Sequence, residues 1–136
     1  MIMTPPRLDF ARLSQFKYAI INLVGDDGFP MSLPTDFELT PHKEILLRKP
    51  AGHVSLNGRH VGVLFNHITA IPTGGCMDRR YMLLWGKLAE QNGRLRLDPE
   101  SVSEWDEKIL PFDQLCAKAA PQAQKYLETL QHQIEA

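Results

Sequence analysis

Two adjacent basic pairs, Arg48-Lys49 and Arg79-Arg80, and one histidine, His67, are the side chains of this sequence best suited to meeting an anion. Arg and Lys give charge-assisted hydrogen bonds to phosphate or carboxylate oxygens. Neighbours on a strand point to opposite faces, so only one of Arg79 and Arg80 can serve a given site. An imidazole changes charge near neutral pH and also binds metals or heme iron, although a strand-end histidine is ordinarily a surface residue. Ser32 and Thr35 sit in a proline-interrupted run and can offer hydroxyls to a ligand edge, in competition with ordinary turn chemistry. Arg48 and Lys49 have a rival reading too, as a solvated strand end beside Pro50.

Conventional catalytic arrangements are missing from the text. There is no G-x-S-x-G elbow, P-loop or G-x-G-x-x-G, and no histidine pair has the i,i+4 spacing of a zinc site, so a protein-bound metal is not expected. His53 and His60 have less to recommend them than His67. Cys76 and Cys116 form neither a CxxC pair nor a zinc framework and read as two reduced thiols. Asp26-Asp27 belong to a turn. No catalytic residue is assigned, and any chemistry must come with a cofactor.

These residues need a scaffold, and composition bounds it. At 136 residues the chain is one domain that can bury about two thirds of its unfolded surface without staples. Hydrophobic content of 43% and charged content of 23% exclude wholesale disorder, collagen and a disulfide scaffold. A net charge of -1 gives no global field for nucleic acid or an anionic membrane, so an anion must be held locally. No signal peptide or membrane-length apolar run is seen, and a cytoplasmic location is expected. Nine glycines and ten prolines argue for many short elements joined by turns.

The pattern predicts a short helix over 8–16 and a strand over 18–24 (YAIINLV), closed by the GDDG turn at 25–28. Residues 29–37 carry Pro30 and Pro34 and read as an edge or interrupted strand. Further strands follow over 44–48 and 59–67, the latter with Val61, Val63 and Phe65 on one face. Residues 53–57 are ambiguous, with one helical turn as an option. A loop over 70–78 leads to the longest strand, 79–90, where Gly86 marks a bulge or a close backbone approach. Asn92-Gly93 turns into a short strand over 94–97. Beyond Asp98 helix formers dominate: Ser101 or Ser103 can cap a segment through Ile109 that Pro111 ends, and Pro121 suits the first position of a final helix. Trp85 is expected in the barrel or at a subunit interface, with stacking on a cofactor ring a lesser option. The fold class is α+β, mainly β: a small antiparallel barrel followed by C-terminal helices.

With this order of elements, three stretches give the chain a likeness. GDDGFP resembles the first hairpin of the pyridoxamine 5′-phosphate oxidase-like family of FMN-binding split β-barrels, NGRHVGVLFNH is similar to its NPRVSLLF strand, and RRYMLLWGKLAE to its RQVxVxGKAE strand. The resemblance covers about residues 15–97. It implies a six-stranded antiparallel split β-barrel over about 15–97 with a helical tail over about 98–136. It also implies a homodimer with a cofactor groove between subunits and a flavin-dependent oxidoreductase acting with a small-molecule substrate or reductant. Ser32, Thr35, Arg48, Lys49, His67 and Arg80 become the expected FMN-binding residues, Arg80 because it matches the family's arginine. Departures are equally specific. The second-strand Arg and Lys of true pyridoxamine phosphate oxidases fall on Leu33 and Glu38, their fifth-strand Gln is Tyr81, and the Ser-Arg-Lys phosphate grip and the C-terminal Trp and Arg have no counterpart. Oxidation of pyridoxamine phosphate is therefore not expected. The alternative is a non-catalytic protein that stores or senses a flavin, a deazaflavin or heme.

Overall fold

A computed structural model describes residues 7–52 and 55–135. Its chain order is α1 (Phe10–Leu13), β1 (Ala19–Val24), β2 (Pro30–Thr35), β3 (Phe37–Leu39), β4 (Ile45–Arg48), β5 (His60–Ala70), β6 (Cys76–Gln91), β7 (Arg94–Asp106) and α2 (Phe112–Glu135). The strands form one antiparallel sheet of seven, ordered β2-β1-β5-β6-β7-β4-β3, curled into a half-barrel. The barrel-like α+β architecture stands, with seven strands in place of the expected six.

Curling follows from the connection between the two edges. β2 ends one edge and β3 begins the other, with Asp36 alone between them. The Thr35 hydroxyl donates to the Arg48 carbonyl at 2.6 Å, and the Arg48 amide donates to the Asp36 carbonyl at 3.0 Å. A flat sheet would hold its edges far apart; these bonds require it to close on itself. Pro30 and Pro34 fit this position, because β2 pairs on one side with β1 and needs no donors on the other.

Period-two alternation sets the core. Ala19, Ile21 and Leu23 of β1, Val61, Val63 and Phe65 of β5, and Met82, Leu84 and Leu88 of β6 are all buried, as are Leu95 and Leu97 of β7. Phe65 lies in the middle, edge-on to Phe37 with ring centroids 4.8 Å apart. Each such side chain contributes about 1.5–3 kcal/mol by leaving water. α1 is one turn capped by the Asp9 carboxylate, which accepts from the Arg12 amide at 3.0 Å, and it plugs Leu13 into the core. Asn92 and Gly93, both at positive φ, make the β6–β7 turn that the sequence signals.

The C-terminal third departs from the sequence pattern. Residues 98–106, expected to begin the helical tail, continue β7, where Ser101, Val102, Ser103, Glu104 and Trp105 pair with Trp85 to Tyr81 of β6. Pairing with a sixteen-residue neighbour outweighs local helix preference, which is worth only tenths of a kcal/mol per residue. The register slips between Trp85 and Gly86, where a bulge was expected: a Cβ on Gly86 would lie 2.9 Å from both the Asp98 carbonyl carbon and Pro99 Cα. Pro121 falls inside α2 instead of starting a helix. No residue of α2 is buried, so water can take the carbonyl that the proline leaves without a donor. Pro111 precedes this helix and does not end an earlier one; the Leu115 amide donates to its carbonyl at 3.0 Å. Trp85 lies outside the barrel interior, half exposed on the outer face against Gly62. His53 lies outside the described residues.

Candidate functional site

Where the sheet closes, the ends of β2 and β4 leave an open groove of about 450 Å³ lined by Tyr18, Pro34, Thr35, Asp36, Arg48, Lys49, Pro50 and Ala51. Three expected residues, Thr35, Arg48 and Lys49, meet here although β2 and β4 are far apart in the sheet order. Their states differ. Arg48 is largely exposed and lies 3.5 Å from the Asp36 carboxylate. Lys49 is paired with Glu90 across the neighbouring strand end. Thr35 is buried, and its hydroxyl donates to the Arg48 carbonyl at 2.6 Å with the Asp36 carbonyl 3.3 Å away, so it ties the two walls of the groove together.

Arg80 and His67 form a second cluster. They stand opposite each other on β6 and β5, as their expected proximity across the hairpin requires. Asp78, at φ 55, joins them: its carboxylate lies 3.0 Å from Arg80 Nη1 and 3.3 Å from His67 Nε2, and Lys108 Nζ stands 3.4 Å away. Hydrogen bonding from Arg80 above all, and then Lys108, holds the Asp78 carboxyl below its ordinary range, against the opposing effect of burial. His67 Nε2 also meets Thr69 Oγ1 at 3.1 Å. The Arg80 guanidinium sits over the Phe16 ring, 5.9 Å from its centroid. Its Nε is buried without a hydrogen-bond partner.

Arg79 points the other way, as strand alternation demands. It binds Glu107 at 2.7 Å and covers the Phe112 and Trp105 rings at 4.5 and 5.5 Å, pinning the root of α2 to β7. That hydrogen bond lowers the Glu107 pKa and raises that of Arg79. Ser32 belongs to neither cluster. It is exposed on the outer face, where its hydroxyl donates to Asn22 Oδ1 at 2.7 Å.

Sequence reasoning missed Tyr18, Asp36 and Glu90 around the groove and Asp78 and Lys108 in the second cluster. Asp78 next to the arginine pair was a visible signal. Lys108 was hidden by the helical reading of its segment. Cys76 and Cys116 are both free and exposed. Among the described residues no helix is long and apolar enough to cross a membrane, and no group of three or more His, Cys, Asp or Glu gathers as metal ligands.

The structure thus defines a curled antiparallel half-barrel with a basic groove at its seam. No protein-family model, curated protein or solved structure matches the chain.

Proposed function

We propose that the seam groove binds the phosphate-bearing end of FMN and that the protein is a flavin-dependent oxidoreductase of the pyridoxamine phosphate oxidase-like kind, acting on a small molecule other than pyridoxamine phosphate. The observation that carries this reading is the convergence of Arg48 and Lys49 on one groove walled by Tyr18, Pro34, Pro50 and Ala51. Two cations beside an aromatic and aliphatic wall fit a dianion attached to a flat ring. The volume lies within the range of small-molecule sites. Asp36 and Glu90 already neutralise the two cations in part, so a phosphate binds by displacing them or by adding to a shared network.

A bound flavin supplies the electron transfer, while the chain's own residues bind, orient and exclude water. Arg48 and Lys49 hold the phosphate, Tyr18 and the prolines wall the ring, and Thr35 fixes the distance between β2 and β4. His67 and Arg80 lie outside this groove's lining, so we assign them to a second edge of the pocket, closed by the homodimer that the resemblance implies; Ser32, bonded to Asn22 on the outer face, is given no role. With two free thiols, a reducing cytoplasmic setting suits the chain.

A second reading is binding without turnover, as storage or sensing of a flavin, deazaflavin or heme. One observation favours it: among the groove's lining residues the sole carboxylate, Asp36, is engaged with Arg48, and there is no histidine or cysteine. An absorption spectrum of the purified protein, FMN titration by fluorescence quenching, and NAD(P)H consumption with added FMN separate these readings. Bound flavin with steady consumption supports the oxidoreductase. Bound flavin that is never reduced supports storage or sensing. Colourless protein without micromolar FMN affinity defeats the flavin proposal.

A further inference from the structure

We propose that α2 pairs antiparallel with α2 of a second copy of this chain. The proposal does not depend on flavin binding. α2 runs for 24 residues without one buried residue, and Tyr126, Leu127 and Ile134 are 64%, 58% and 80% exposed. Its small and apolar residues do not follow the broad stripe of a helix that lies on its own domain. Cys116, Ala120, Ala123, Leu127, Leu130 and Ile134 recur at alternating steps of four and three, the narrow seam of a coiled coil.

The seam's own composition selects the occupant. Its first half is small (Cys116, Ala120, Ala123) and its second half large (Leu127, Leu130, Ile134). In an antiparallel pair centred between Ala123 and Leu127, Cys116 faces Ile134, Ala120 faces Leu130 and Ala123 faces Leu127 of the second copy. Every layer then joins one small and one large side chain, which keeps the helix separation even and the packing dense. A parallel pair would set three small layers beside three large ones and splay the helices.

Charge agrees. The positions flanking the seam are Ala117, Ala119, Gln124, Tyr126, Gln131 and Gln133, none of them charged. Lys118, Lys125 and Glu128 point away from it. A second copy therefore meets no like charge along the contact, as self-pairing requires.

The test is the mass of the full chain in solution by light scattering, together with cysteine cross-linking. A wild-type mass of two chains is expected, falling to one in Leu127→Glu/Leu130→Glu with the strand signal in circular dichroism unchanged. In a Cys76→Ser background, Ile134→Cys should give a rapid disulfide-linked dimer, joining Cys116 of each copy to the introduced thiol of the other. Cys116 alone should not, because the two copies of it would lie about 27 Å apart along the helices. A monomeric wild type, a dimer that survives the double substitution, or rapid linkage of Cys116 to its own counterpart each overturns the proposal. FMN titration of the same variants keeps its failure distinct from failure of the flavin reading.

Discussion

The buried Thr35 hydroxyl donates to the Arg48 carbonyl at 2.6 Å and so ties the last residue of β2 to the last residue of β4. Together with the Arg48 amide's bond to the Asp36 carbonyl, it joins edge strand β2 to β4, the neighbour of the other edge strand, and sets the width of the candidate groove. Thr35→Val keeps the shape but leaves the carbonyl without that donor, and a loss of about 1–3 kcal/mol is expected in urea unfolding. Thr35→Ser should restore most of it. If the flavin reading holds, Thr35→Val also weakens FMN binding, because Arg48 and Lys49 lose their fixed spacing.

The glycines within β5 and β6 should respond differently to alanine. At Gly86 the new Cβ would meet the Asp98–Pro99 backbone, which cannot move without breaking the bulge, so Gly86→Ala should cost ~3 kcal/mol or more. At Gly62 the new Cβ would lie 2.8 Å from Trp85 Cζ3, the end of a half-exposed side chain that can swing away. Gly62→Ala should therefore cost less than about 1 kcal/mol. Equal losses for the two variants in thermal unfolding would contradict the bulge geometry.

Acid should destabilise the fold through two carboxylates. Asp78 and Glu107 are held below their ordinary range by Arg80 and Arg79 respectively. A carboxyl whose folded pKa is lowered contributes stability that is fully present above its unfolded pKa and disappears as pH falls through the folded one. The melting temperature should thus be flat near neutrality and fall below about pH 4. Asp78→Asn with Glu107→Gln should lower it near neutrality and flatten that acid limb.

Removing the groove's cations tests the site directly. On the flavin proposal, Arg48→Ala and Lys49→Ala should each weaken FMN binding roughly tenfold to a hundredfold, the usual scale for a charge-assisted hydrogen bond. Arg94→Ala, at an exposed strand end paired with Glu38, should leave the affinity unchanged. An equal effect of all three would mean that general charge, and not this groove, attracts the ligand.

Much of the barrel was legible because its signals are local. YAIINLV alternates inward and outward, GDDG and Asn-Gly demand their turns, the prolines of β2 demand an edge, and Gly86 announces its bulge. The pairing of His67 with Arg80 was legible for the same reason, since one hairpin brings them together. Residues 98–106 were not. Their helix formers become strand because β6 offers a long unpaired edge, and that edge does not exist until the hairpin folds.

The sequence by itself determined the alternation, the turns and the cations available to an anion, all of which are set by spacing along one chain. Only the tertiary structure decided which of those cations share a groove. Arg48, Lys49 and Thr35 converge because the sheet closes at Asp36, while Arg80 and His67 are drawn to Asp78 and Ser32 to Asn22. Closure depends on hydrogen bonds that join the end of β2 to β4 across the seam, and no local pattern records which strands will meet there.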